Sequence, residues 1–264
     1  MEQKSFLQRI VDVFMSPGRA FDGLVEHFSY KDWLYPLIIV SVGVMVLPLF
    51  YRDISFSEAD KRLTRTERNI AANPDIPEEQ LEKIQGRLDD AREKIHDSKE
   101  NPLALRNLWG YALIPIMLFV MTAVFTAILL LIGNFGMGGK VKFFHLFTIV
   151  MTSYLIGGNG FFMNMIPGVG TLELLVKTPL IVMRDSTDLL LSPGLIFSAI
   201  DSFLKQFLNH LDIFRLWGVA VMGFGFAHLY NKSTTTGIIA VSIPWLILVA
   251  IGAALMRANS LVIG

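Results

Sequence analysis

The chain contains no cysteine, which removes disulfides, zinc–thiolate centres and cysteine nucleophiles and leaves the redox compartment open. Charge is scarce as well: 17% of its 264 residues are Asp, Glu, Lys or Arg, against about 25% in an average soluble domain. The 23 basic residues balance 23 acidic ones, so there is no field of one sign to attract nucleic acid, and none is expected as a partner. No acid or base falls in the middle of any long apolar run. Ion-coupled carriers usually place such groups there despite the cost, so this absence weighs against proton- or cation-coupled transport. The N-terminal segment carries Glu2, Lys4, Arg9 and Asp12 with no small-residue cleavage site after an apolar core, so no cleavable signal peptide is expected.

Recognisable chemistry is also missing. Gly136 to Lys140 looks briefly like a phosphate loop, but Asn134 and Val141 stand where a glycine and a hydroxyl residue are required, so the segment reads as a turn. His27, His96, His145, His210 and His228 are scattered, and none forms an i, i+4 ligand pair with an acid on the same helix face. His145 and His228 both fall near the cytoplasmic ends of their spans, and separate interfacial roles fit them better than a joint one. No nucleophile, base and orienting group can be placed together, so no catalytic residue, metal or cofactor is assigned and no enzyme is expected.

What the chain does have is long apolar runs. Hydrophobic residues make up 53% of it and the mean hydropathy is +0.51, the composition of an integral membrane protein. Residues 1–33 read as cytoplasmic amphipathic helices. Phe6, Ile10, Val13 and Phe14 recur at helical spacing. Ser16-Pro17 reads as an N-cap and first helical position, and Ala20, Phe21, Leu24, Val25 and Phe28 give a second helix its apolar side. Residues 34–50 form a first span, entered at Lys31-Asp32-Trp33, with Pro48 marking its exit.

Residues 51–108 are polar and densely charged. Phe56, Ala59, Leu63, Thr66 and Ile70 make one apolar stripe, and Leu81, Ile84, Leu88, Ala91 and Ile95 a cleaner second one. A Pro-rich turn separates them, so an extramembrane antiparallel hairpin is expected, read as a solvated spacer ahead of a docking arm or dimerisation device. Spans follow at 111–132 and 143–166, the latter polar, with Tyr154, Asn159 and Asn164 as candidate intramembrane groups. Residues 167–212 read as an interfacial segment built on Ile196, Ile200, Phe203, Leu204, Phe207 and Leu211, with a re-entrant piece at Leu172 to Met183 as the alternative. The last two spans, 213–230 and 237–256, carry small-residue strips at Gly223/Ala227 and Ala250/Ala254 for close packing.

The expected fold is therefore all-α: a polytopic membrane protein with five transmembrane helices, N-terminal amphipathic helices and an extramembrane helical hairpin. Lys4, Arg9, Arg19, Lys31, Lys140, Lys142 and Lys232 fall on one side of that layout, which favours a cytoplasmic N-terminus.

Several segments together resemble the Yip domain family, named for proteins that interact with Ypt/Rab GTPases. They are Phe14-Met15-Ser16-Pro17-Gly18-Arg19-Ala20-Phe21, Asp32-Trp33-Leu34-Tyr35-Pro36-Leu37, Gly138-Gly139-Lys140, Tyr154, and Leu211-Asp212-Ile213-Phe214-Arg215-Leu216-Trp217. The resemblance covers nearly the whole chain outside the hairpin. Eukaryotic members carry Asp-Leu-Tyr-Gly-Pro at the first span and Gly-Tyr in the third. Here these read Asp32-Trp33-Leu34-Tyr35-Pro36 and Ser153-Tyr154, which points to a bacterial-type member in a cell (inner) membrane, an endomembrane being the alternative if the source is eukaryotic. What the resemblance implies is a non-enzymatic, membrane-organising or trafficking scaffold or adaptor. Its partners are the lipid bilayer and a membrane or cytoplasmic protein not identified by sequence, with homo-oligomerisation left open. Phe6, Ile10, Phe14, Pro17 and Phe21 are the candidate partner or lipid contacts. The alternative function is a small channel or transporter conducting through the polar third span.

Overall fold

The computed structural model describes residues 4–72, 76–101, 105–158, 170–187, 192–194 and 203–263, with the side chains of 105–108 and 256–263 left aside. Among the described residues every regular element is helical. The elements in chain order are α1 (Phe6–Met15), α2 (Lys31–Val46), α3 (Arg52–Ala71), α4 (Glu78–Glu100), α5 (Leu105–Leu131), α6 (Phe143–Ser153), α7 (Thr171–Arg184), α8 (Phe203–Asn209), α9 (Ile213–Leu229) and α10 (Thr234–Ile263).

Three helical stretches are long and apolar enough to cross a membrane: Lys31–Ala71, Trp109–Gly136 and Thr234–Leu255, while Phe143–Ser153 and Ile213–Leu229 are shorter apolar helices. Large apolar side chains line the outer faces of the long ones. On α2 these are Ile38, Val42 and Val46, on α5 Leu113, Ile116, Val120 and Val124, and on α10 Ile239, Ile243, Ile247 and Ile251. Rows of bare aliphatic residues at helical spacing on helices this long suit contact with lipid, so the folded surface agrees with the composition.

Inside the bundle, α6 is the central post. His145 to Ser153 are all buried, and α2, α5 and α9 pack around it. Trp33, at the entry to α2, sits among Phe119, Phe144 and Phe147 with ring centroids 5.7–5.9 Å away. The α9–α10 pair is closed by small residues. A Cβ on Gly223 would lie 2.6 Å from the Ile238 Cα, and one on Gly237 would meet Ala227. The Gly223/Ala227 strip is therefore the α9 side of the contact. The α10 side is Gly237, Val241, Trp245, Val249 and Ala253 rather than Ala250/Ala254, because Ala254 is exposed.

Three expectations are corrected. The second amphipathic helix does not form: residues 17–27 make a run of turns, with bonds such as Arg19 N to Ser16 O and Leu24 N to Phe21 O. Gly23 takes φ +71°, a left-handed value that interrupts a helix. Ser16 then ends α1, while Ser5 starts it through a reciprocal capping box with Gln8. Second, α6, which opens the span expected at 143–166, ends at Ser153 and gives way to turns at 154–156, while 159–166 lie outside the described residues. Third, Leu172 to Met183, expected within an interfacial segment or as a re-entrant piece, lies in the helix α7, which takes over where α6 leaves off. The amides of Thr171, Leu172 and Glu173 donate to the carbonyls of Tyr154, Leu155 and Ile156 at 2.9–3.1 Å. Those are the carbonyls that residues 158–160 would have used in an unbroken helix.

The hairpin is built from α3 and α4. Its two buried residues, Ile70 and Leu88, belong to the two stripes read from the sequence, and the other stripe positions are half-buried. Arg92 ties the arms by pairing with Glu67 at 3.0 Å and Asp60 at 3.6 Å.

Candidate functional site

The junction of α6 and α7 is where the structure places its least expected residues. Glu173 opens α7 and is wholly buried, Lys177 follows one turn later, and Asp212 and Arg215 sit at the start of α9 with side chains 3% and 5% exposed. Lys177 Nζ bridges the two carboxylates, 2.7 Å from Glu173 and 2.8 Å from Asp212. Arg215 reaches Glu173 at 3.6 Å. Among the described residues, two acids and two bases thus gather into a quartet of balanced charge, the form in which buried charge is tolerated.

Both carboxylates also serve helix N-termini. Asp212 caps α9 by accepting from the Phe214 amide at 2.9 Å, and Glu173 accepts from the Gly170 amide at 3.4 Å. Each acid therefore offsets the positive end of a helix while holding a cation from the other element. Glycine makes the junction sterically feasible. A Cβ on Gly157 would collide with the Phe214 carbonyl, one on Gly170 with the Ile156 carbonyl, and one on Gly218 would lie 2.7 Å from the Gly157 oxygen. Alongside, Leu172, Ile213, Phe214, Leu216 and Trp217 line an open apolar groove.

A second joint ties the junction to the hairpin. The Glu58 carboxylate accepts from Ser186 Oγ at 2.8 Å, from the Thr187 amide at 2.9 Å and from the Thr187 hydroxyl. Burial alone would raise the Glu58 carboxyl, but the Thr187 and Ser186 donors, aided by Arg62, hold it below its ordinary value.

At the opposite end of the bundle, α1 lies across the entry to α2. Arg9 is buried against Asp32 at 2.6 Å, and the Ser29 amide donates to Asp32 at 2.8 Å. Of the proposed contact residues, Phe21 is wholly buried and is withdrawn from any contact surface. Phe6 meets the Tyr35 ring at 5.0 Å, while Ile10 and Phe14 pack on the core and Pro17 is half-buried. The bare apolar side of α1 is instead Leu7, Val11 and Met15. Of the candidate polar groups, Tyr154 is buried and its carbonyl receives the Thr171 amide; Asn159 and Asn164 lie outside the described residues. His145 packs on Phe28, and His228 faces Asp22 at 3.7 Å.

The quartet escaped the sequence reading because Lys177 looks like an interruption in an apolar piece. The available signal was pairing: an acid and a base one turn apart in α7, and another such pair opening α9. Asn134 was missed too. It exchanges bonds with the Val141 backbone at 3.0 and 3.1 Å and receives the Tyr230 hydroxyl at 3.0 Å, while that ring lies flat on Gly133 and Gly139.

The segments that suggested a family are therefore the joints of the fold: Asp32 and Trp33, Gly139, Tyr154, Asp212 and Arg215. No curated protein matches the chain. No solved structure matches it either. The family model for the Yip1 domain matches residues 11–256, nearly the whole chain, and the protein belongs to the Yip1 domain family.

Proposed function

We propose that this protein is a non-enzymatic membrane scaffold or adaptor with five crossings. These are α2, α5, α6 continued by α7, α9 and α10, with the N-terminus in the cytoplasm of a bacterial-type cell. The third crossing draws support from the hand-over of hydrogen bonds at Thr171 to Glu173: 11 residues of α6 and 14 of α7 reach about 37 Å at 1.5 Å per residue, enough for a hydrocarbon core of roughly 30 Å.

The observation that supports the scaffold reading is the engagement of both buried acids of the quartet by the chain itself. A carrier's binding site offers its helix N-termini and charges to a passing solute. Here both N-termini are capped by the chain's own carboxylates, Lys177 bridges those two acids and Arg215 lies 3.6 Å from one of them. The surface left for recognition is extramembrane: α1 with its bare Leu7, Val11 and Met15 row, and the charged hairpin. Affinity purification of the full chain in native lipid is expected to bring down a protein partner that is lost when residues 1–30 are removed. An unchanged pull-down profile would sink the adaptor reading.

Among the described residues, the change from α6 to α7 is a feature that favours solute conduction. Liposome flux that disappears with Asn159→Leu or Asn164→Leu would establish that alternative.

A further inference from the structure

The two outer edges of the hairpin carry opposite charge. On α3, Lys61, Arg65 and Arg68 share the strip turned away from the seam residues Leu63, Thr66 and Ile70, and all three are exposed. On α4 the strip opposite Leu88 and Ile95 holds Asp90, Glu93 and Asp97, which line a shallow polar groove together with Lys94. Neither the three bases nor Asp90 and Glu93 pair with another described residue of the chain, although ion pairs are frequent elsewhere on the hairpin.

Register matters as much as sign. Arg92 reaches both Asp60 and Glu67. The antiparallel arms therefore place Arg65 level with Asp90, and Lys61 level with Glu93, to within about one helical turn. The hairpin is also fixed to the bundle at two points. α3 continues from α2 through the turn Leu47–Tyr51, and Glu58 is bonded to Ser186 and Thr187 beyond α7. Copies inserted with the same orientation in one membrane hold their hairpins at the same height. The basic edge of one copy then meets the acidic edge of the next in register.

We propose that the occupant of these edges is a second copy of this chain, with α3 of one molecule beside α4 of its neighbour. Because the edges lie on opposite sides of the hairpin, the contact is head-to-tail and repeats into a ring or a row rather than closing as a twofold dimer. Exposed ion pairs are individually weak and screened by salt, and tethering to one membrane supplies the effective concentration that lets several act together. This contact is independent of the adaptor reading, since it needs no other protein.

The absence of cysteine gives a clean test. Full-length Arg65→Cys and Asp90→Cys chains, differently tagged and co-expressed, are oxidised in native membranes. A disulfide between the two unlike chains is expected, with little joining two copies of either. Adding Lys61→Glu and Arg68→Glu to the first chain should lower the yield about tenfold, as should high salt. Adding Glu93→Lys and Asp97→Lys to the second chain should restore it, which a folding defect would not allow. Dominant like-with-like crosslinks, no crosslink, or a yield indifferent to salt and charge reversal would each overturn the proposal.

Discussion

Removing Lys177 tests the physical role of the quartet. In Lys177→Met the stem is replaced at similar length, but Glu173 and Asp212 lose the ammonium that bridges them at 2.7 and 2.8 Å. Arg215 remains 3.6 Å from Glu173, so one negative charge is left uncompensated in a site that is almost sealed. Breaking a buried pair in this way costs about 3–5 kcal/mol, much more than an exposed pair would. At a few degrees per kcal/mol for a chain of this size, the unfolding midpoint should fall by roughly 10 °C. Near-ultraviolet circular dichroism on heating, in nanodiscs, reads that shift, with Lys140→Met at an exposed site as a control that moves little. The double variant Glu173→Gln/Lys177→Met restores neutrality and should be more stable than Lys177→Met alone. If Lys177→Met melts with the wild type, or the double variant loses still more stability, the quartet does not work as described.

Three further outcomes follow from the same geometry. Glu58 titrates below its ordinary value when folded, so its contribution is complete above the unfolded value and is lost as pH falls through the folded one. Protection of the Thr187 amide, taken against its intrinsic exchange rate at each pH, should therefore fall on acidification below the ordinary carboxylate range, and Glu58→Gln should lower it at all pH values. Gly157→Ala drives a Cβ into the Phe214 carbonyl, so recovery of folded protein from membranes should collapse, whereas Gly136→Ala, with open space around it, should express normally. Gly86 lies within α4 with nothing near its missing side chain, and Gly86→Ala should stabilise the hairpin by about 0.8 kcal/mol against protease digestion.

The architecture was readable where hydropathy is strong and local. The apolar runs of α2, α5, α9 and α10, the hairpin stripes and the Gly223/Ala227 strip all depend on residues a few positions apart. The hand-over from α6 to α7 was not readable, because it is carried by backbone bonds between residues 154–156 and 171–173, across a separation that periodicity cannot bridge. The stretch at 17–27 misled for a related reason. Its apolar spacing suits a helix, and Ala20, Phe21 and Leu24 are indeed buried, but Gly18 and Gly23 let tertiary packing choose turns instead. Charges followed the same rule. Lys177 and Asp212 are 35 positions apart, and they meet only when the start of α9 packs beside α7.

Single cysteines, read one at a time in sealed vesicles, test the central claim most directly: that α7 completes the crossing begun by α6. Asp185→Cys at the end of α7 should label from the same face as Lys99→Cys at the end of α4. Lys140→Cys and Ser233→Cys should label from the opposite face. Labelling of Asp185→Cys from the face of Lys140→Cys would show that the chain turns back within the membrane, and would contradict the broken-helix crossing.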